Sequence, residues 1–240
     1  MPIPSLRGQK VVVIGGSSGI GFAVAEAVLA EGAEVVIGSS SAAKVEAAVS
    51  RLGKGASGTA VNVREEVSVQ AFFEGAGPFD HLAYTAGDWD RAATGPVVEL
   101  DFTAAAAGAD VRFWGALRTV KHALPHLSAR GSVTFTDGVR THKPGKGMPL
   151  ASAFGAAIEH LAKGLAIDLA PRRFNTVCPG VIHTEVWANT PPERLAKMTA
   201  SLPVPQAGDP ADVAQAYVYL MKGGYTTGQV LIVDGGLMLI

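Results

Sequence analysis

Gly15, Gly16, Ser17, Ser18, Gly19, Ile20 and Gly21 form a run suited to holding phosphate. Glycines let the chain turn sharply and admit an anion close to the backbone, while amides at the start of a following helix bind it with help from the helix dipole. Ser17 and Ser18 add hydroxyl donors. An apolar strand, Lys10 to Ile14, enters the run, and Ile20, Val24, Ala27 and Val28 recur behind it at helical spacing up to a stop at Gly32. A second strand, Glu34 to Ile37, begins at once, so the turn points to dinucleotide binding rather than to a mere connection. At the end of that strand stand Ser39, Ser40 and Ser41, where an acidic side chain would accept hydrogen bonds from the ribose hydroxyls of NAD. With no carboxylate to repel a 2′-phosphate, and with Lys44 nearby to receive it, the sequence favours NADP(H).

These groups need a rigid frame, and the rest of the chain reads as one. Short β-rich runs near 10–14, 34–38, 58–63, 81–85, 132–136, 174–178 and 230–233 alternate with helical patterns near 19–31, 42–52, 65–73, 101–127, 150–169 and 210–221. That alternation predicts an α/β fold: a Rossmann-type doubly wound, seven-stranded parallel sheet flanked by helices. A chain of 240 residues suits a single NAD(P)-binding domain, 1–240. Asp209 and Pro210 read as a helix cap and first turn. The stretch 183–205, with Pro191, Pro192, Pro203 and Pro205, reads as an excursion long enough to cover a substrate pocket.

Composition narrows the function further. The net charge is −1 and no long basic run occurs, so the sequence carries no electrostatic footprint for nucleic acid. Although 48% of residues are hydrophobic, no uninterrupted apolar run reaches the ~18 residues needed to span a bilayer. The single Cys178 cannot form an intrachain disulfide, and no secretory apolar run follows Met1-Pro2-Ile3-Pro4. The expectation is a reduced, cytoplasmic protein with neither nucleic acid nor membrane as partner.

With the elements ordered, the sequence resembles the short-chain dehydrogenase/reductase family over nearly its whole length. Gly15-x3-Gly19-x-Gly21 is similar to that family's cofactor turn, with Ile14 where a Thr is usual. Tyr84-Thr85-Ala86-Gly87 resembles its Asn-Asn-Ala-Gly segment, and Asn62-Val63 stands in place of the Asp-Val that flanks the adenine. The run Arg173-Phe174-Asn175-Thr176-Val177-Cys178-Pro179-Gly180-Val181-Ile182-His183-Thr184 resembles the family segment that holds the nicotinamide carboxamide. Val233-Asp234-Gly235-Gly236 is similar to its C-terminal signature. The resemblance implies cofactor contacts from Ala86, Gly87, Pro179, Gly180, Ile182 and Thr184, and a homodimer or homotetramer.

The resemblance fails at the family's proton-transfer residues. Matching Leu165 to Pro171 places Ala151 where the family has its Tyr and Gly155 where it has its Lys, and no Tyr in the chain is followed by Lys four residues later. The family's Ser falls on Gly138 or Asp137, and its Asn falls on Arg112. Asp137, at the carboxyl end of a central strand, and Arg112, on the preceding helix, are therefore the candidate catalytic residues. An Arg keeps its proton and can hold a carbonyl oxygen, a carboxylate or a growing oxyanion. Asp137 serves as general acid or base if desolvated, or steadies a cationic substrate such as an iminium if ionised. The two residues could equally pair with one another.

The loop after the fifth strand carries Arg140, His142, Lys143 and Lys146 and reads as a substrate rim, either attracting an anion or simply solvated. Trp89, Trp114, Phe154 and Trp187 are candidates for an apolar pocket, although side chains at helical positions such as those of Trp114 and Phe154 are more often core. His122 and His126 share a helix face, but Pro125 intervenes and no carboxylate completes a metal motif, so no metal is expected. The functional expectation is an NADP(H)-dependent oxidoreductase transferring hydride to a small organic carbonyl, imine or activated alkene. The competing reading is an NADP(H)-binding protein without redox turnover, acting as a regulator or as a cyclase or isomerase.

Overall fold

In the computed structural model, residues 5–87 and 95–240 are described. Trp89 lies outside them. The strands are β1 (Lys10–Ile14), β2 (Glu34–Ser39), β3 (Ala56–Ala60), β4 (Phe79–Tyr84), β5 (Leu127–Thr136), β6 (Arg173–Pro179) and β7 (Val230–Val233). They form one parallel sheet in the order β3-β2-β1-β4-β5-β6-β7, which reverses direction between β1 and β4 as the doubly wound expectation requires. Both faces of β1 are buried. Val11 and Val13 enter one core and Val12 and Ile14 the other, so this central strand is apolar at every position after Lys10.

The helices are α1 (Gly19–Ala30), α2 (Ala42–Leu52), α3 (Glu66–Ala76), α4 (Phe102–Ala109), α5 (Ala116–Ala123), α6 (Pro149–Asp168), α7 (Pro192–Thr199) and α8 (Pro210–Lys222). On one face of the sheet α1 and α8 pack together; on the other lie α3, α5 and α6. Asp209 caps α8 by accepting the Ala211 N–H at 2.8 Å, and Asp212 in turn accepts the Asp209 N–H at 3.2 Å. At the other end of α8 the buried Arg173 guanidinium donates to the carbonyls of Leu220 (2.6 Å) and Met221 (2.9 Å), which the helix itself cannot satisfy.

Several boundaries differ from expectation, among them that of β5, which begins at Leu127 rather than near 132. Strand β3 occupies 56–60 rather than 58–63, because its partner β2 ends at Ser39, opposite Ala60. The helix expected over 101–127 is two helices joined by a π turn, Asp110–Gly115, and it stops at Ala123, before Pro125. The Tyr84 hydroxyl, reaching from β4, donates to the Val111 carbonyl at 2.6 Å inside that turn, supplying a partner where the helix widens. The wider turn shifts the facing of its own residues, and Trp114 is 51% exposed instead of core.

The excursion 183–205 is also more ordered than a loop, since it contains α7 and packs Leu202 against Cys178, Val139 and Leu237. Helix α6 is long and apolar enough to cross a membrane, although the sequence showed no uninterrupted apolar run. Here its inner face, Gly155, Ile158, Glu159 and Ala162, is buried on the sheet.

Candidate functional site

The glycine turn closes around positions where no side chain fits. Gly15 has φ of 92°, and a Cβ there would lie 2.6 Å from the Ala86 nitrogen. At Gly21 a Cβ would sit 2.3 Å from the Gly15 carbonyl oxygen. Thr85 fastens the neighbouring strand end by donating its N–H (2.8 Å) and its hydroxyl (3.0 Å) to the Ile14 carbonyl. Ala86 therefore stands directly beside the turn, with the exposed Gly87 next to it.

Ser18 is the N-cap of α1, yet its hydroxyl makes no capping bond. The first amides of α1 are left without a side-chain acceptor, which is what a bound pyrophosphate needs. Gly19 turns at φ of 52°, and Ile20 packs inward against the α1–α8 core. The residues present thus fit a dinucleotide.

Ser17 Oγ donates to Ser39 Oγ at 2.9 Å, tying the glycine turn to the end of β2. Ser40 and Lys44 are exposed there. Ser41 is engaged otherwise than expected: its Oγ accepts the Lys44 N–H at 3.3 Å as the cap of α2, leaving its hydroxyl proton to donate. Asn62 is also turned inward on its own loop. Its Oδ1 accepts from the Arg64 N–H at 3.2 Å and its Nδ2 donates to Glu65 at 2.8 Å, so one amide hydrogen is left for an adenine edge. Val63 is buried, and its carbonyl accepts from the Arg118 guanidinium at 3.4 Å.

Along β6, two residues of the resembling run hold the fold instead of a ligand. Arg173 caps α8, and Asn175 clamps the turn before β7, donating to the Thr226 carbonyl (2.9 Å) and accepting from the Gln229 N–H (3.0 Å). Beyond Pro179, Gly180 admits Asp234 so closely that a Cβ would lie 2.7 Å from its Cα. Val181 and His183 make the bridge to Gly208, leaving the Ile182 N–H and carbonyl outside that pair and free for a carboxamide. Thr184 crosses over the glycine turn: a Cβ on Gly19 would be 3.3 Å from its methyl.

Asp137 lies just past the end of β5 and is 3% exposed. Its N–H donates to the Val177 carbonyl at 3.1 Å, while among the described residues neither carboxylate oxygen has a well-formed hydrogen bond, although Glu159, Cys178 and Thr141 stand beside it. Burial, reinforced by the neighbouring Glu159 carboxyl, pushes Asp137 far above the usual carboxylate range, to about 8. The direct pair with Arg112 is therefore not made. Arg112 sits in the π turn, half-buried, with its charge acting on Tyr84.

Around Asp137 the structure assembles groups that the sequence left scattered. Carboxylate oxygens of Asp137 and Glu159, a ring nitrogen of His142 and Sγ of Cys178 all lie within 4.8 Å of one another. His142 Nε2 and Glu159 Oε1 share a 2.6 Å hydrogen bond. Burial and the Asp137 carboxylate push the Cys178 thiol upward, so it stays protonated. Glu159 escaped the sequence reading. Its signal was a carboxylate on the inward stripe of α6, four residues after Gly155, among Ile158 and Ala162. Gly155 itself has no room for a side chain, because a Cβ would meet Thr141 Oγ1 at 1.8 Å.

The other candidates disperse. His122 turns to Glu66 (3.1 Å), which Lys121 also holds, and not toward His126. Phe154 and Trp187 are half-buried. A cavity of about 430 Å³ lined by Gln9, His81, Arg130 and Arg173 lies at the amino ends of the strands, across the sheet from the glycine turn.

Glycine turn, strand order and switch point together define a Rossmann-type nucleotide-binding protein. The sequence model of a family described as enoyl-(acyl carrier protein) reductase matches residues 14–238. The short-chain dehydrogenase/reductase ucsE of Acremonium sp is 36% identical, over 98% of this chain and 97% of its own. The reductase/Diels-Alderase MalC from Malbranchea aurantiaca superposes with a TM-score of 0.90 at 27% identity, covering 98% of both chains. A small-chain dehydrogenase solved in complex with NADPH gives a TM-score of 0.80 at 32% identity, over 97% of this chain and 99% of its own. The chain belongs to the short-chain dehydrogenase/reductase family.

Proposed function

We propose that this short-chain oxidoreductase is NADP(H)-dependent and delivers hydride to a small organic carbonyl, imine or activated alkene, with Asp137 and Arg112 in place of a Tyr/Lys pair. When bound, the reduced cofactor supplies the hydride from its nicotinamide ring. The Ser18 cap and the first amides of α1 would hold the pyrophosphate, and Ser39, Ser40, Ser41 and Lys44 the 2′-phosphate. Ile182 offers both a donor and an acceptor to the carboxamide.

The observation that carries the proposal is Asp137: a buried carboxyl with both oxygens unspent, at the carboxyl end of a central strand. Raised to about 8, it holds a proton at neutral pH and can give it to the oxygen or nitrogen left anionic by hydride addition. Arg112, permanently charged, would hold that atom before transfer. The NADPH-bound relative and the relatives named as reductases support redox turnover. The same reading takes the chain as a homodimer or homotetramer, with the exposed Phe102, Trp114 and Ile167 at the contacts. Sedimentation would show a monomer if that is wrong.

The test is loss of reduced-nicotinamide absorbance with panels of ketones, imines and quinones. Oxidation of NADPH by one class and not by the others names the substrate. Tight NADPH binding with no oxidation by any panel member overturns the proposal in favour of a binding protein.

A further inference from the structure

We propose that Glu159 and His142 form a proton conduit that reloads Asp137 from solvent after each turnover. The inference rests on the proton-donor role assigned above to Asp137 and adds two residues that role does not require. Asp137 is 3% exposed, so once substrate and cofactor fill the cleft its proton returns through neighbouring side chains more readily than from bulk water. Glu159, on α6, is 4% exposed and stands beside it, its carboxyl oxygen within 4.8 Å of the Asp137 oxygens. Glu159 Oε1 is hydrogen-bonded to His142 Nε2 at 2.6 Å, and the His142 side chain is 31% exposed. The path thus runs from solvent to an imidazole, to a buried carboxyl, to the buried acid.

Each group is suited to its place. Histidine gains and loses protons near neutral pH, and two adjacent carboxyls in a dry site hold one proton between them more readily than two charges. Of the other groups around Asp137, the Cys178 thiol on β6 is held protonated, the Thr141 hydroxyl lies alongside, and the Tyr217 hydroxyl from α8 is spent on Thr136 across the sheet. Asp234, at the end of β7, acts on Cys178. None of these leads outward as His142 does.

The proton balance is simple. Hydride addition leaves an anionic oxygen or nitrogen on the substrate, and Asp137 protonates it and becomes a carboxylate. His142 passes a proton to the Glu159 carboxylate, that proton moves on to Asp137, and solvent water reprotonates His142. One proton from solvent is consumed per hydride, and no other reactant is needed.

Glu159→Gln and His142→Gln are tested by rapid mixing with NADPH and an accepted substrate. At a pH below the descending limb of parent and variant alike, the expected result is one turnover per site at close to the parent rate, followed by steady turnover slowed about tenfold or more. Added imidazole should restore the steady phase in His142→Gln. A first turnover slowed as much as the later ones, or a steady rate equal to the parent's, overturns the conduit. If Glu159→Gln does not fold, His142→Gln on the rim carries the same test. A parent protein that oxidises no NADPH at all defeats the proposed function instead, which keeps the two failures apart.

A second readout needs no cofactor. The infrared band of the protonated Asp137 carboxyl, assigned by its loss in Asp137→Asn, should shift in Glu159→Gln. The nitrogen resonances of the His142 ring should shift in both variants. Indifference of His142 to both substitutions overturns the proposal, as does a stoichiometric divalent metal held by these side chains in the purified protein.

Discussion

Ser17 and Ser39 touch, Oγ to Oγ at 2.9 Å, so the first turn of the phosphate cradle and the end of the second strand form one polar surface. A carboxylate introduced on that surface would meet the place proposed above for the 2′-phosphate. Ser39→Asp is expected to weaken NADPH binding about tenfold or more and to strengthen NADH binding, since the new oxygens can accept from a free ribose hydroxyl. Calorimetric titration with both dinucleotides checks this. Unchanged preference would remove the serine cluster from cofactor selection.

Asp137→Asn keeps the shape of the side chain and removes its acidic proton. Turnover is expected to fall by about 10²-fold or more while NADPH affinity holds, because Asp137 stands at the end of β5 and not in the glycine turn proposed for the phosphates. Arg112→Ala should lower turnover similarly, and Arg112→Lys should recover only part, since an ammonium lacks the planar fork. Steady-state rates and cofactor titrations on the three variants decide it.

The pH dependence follows from the raised Asp137 carboxyl. Reduction needs Asp137 protonated, so the rate should be level below its midpoint and fall as pH rises through about 8. Because Glu159 contributes to the raised value, Glu159→Gln should move this descending limb to lower pH. Stability has the same sign. A carboxyl whose folded pKa exceeds its unfolded 3.8 binds more protons when folded, so the fold loses stability as pH rises from about 4 through about 8. Denaturant titrations of the parent and of Asp137→Asn across that range should show a slope in the parent that the variant lacks.

Much of the frame was legible because local rules and tertiary packing agree in it. The strand-glycine-helix unit is forced by Gly15 and Gly21, where no Cβ fits, and the unbroken apolar run of β1 follows from burial on both faces. The π turn was not legible, since the hydroxyl that meets the Val111 carbonyl inside it comes from Tyr84, 27 residues away in sequence. The same holds for the site. Asp137 could be found from its place at a strand end, whereas Glu159 joins it only when α6 docks on the sheet. Periodicity marks Glu159 as inward-facing but cannot say that a carboxyl and an imidazole wait there.

Tyr84 is the support for Arg112. Its buried hydroxyl satisfies the Val111 carbonyl at 2.6 Å, and the residue after that carbonyl is Arg112. Tyr84→Phe is expected to cost about 1 kcal/mol in stability and to loosen the π turn. The functional sign of that loosening would be a lower kcat with unchanged cofactor affinity. An undiminished kcat would show that Arg112 is positioned by other contacts.

Gly155 marks the last commitment of the site, because the space a side chain would take there is filled by Thr141, with Oγ1 1.8 Å from the Cβ position. Gly155→Ala should therefore overpack the contact between α6 and the turn after β5, at about 1 to 3 kcal/mol. Adding Thr141→Ala removes the hydroxyl and should return part of that loss, so the two substitutions will not add. Inserting a lysine at position 155 would meet the same obstacle at its first carbon, so Ala151→Tyr with Gly155→Lys is expected to lower stability rather than install a working Tyr/Lys pair. Thermal melts of the single and double variants test the coupling, and strict additivity would show that Thr141 moves aside without cost.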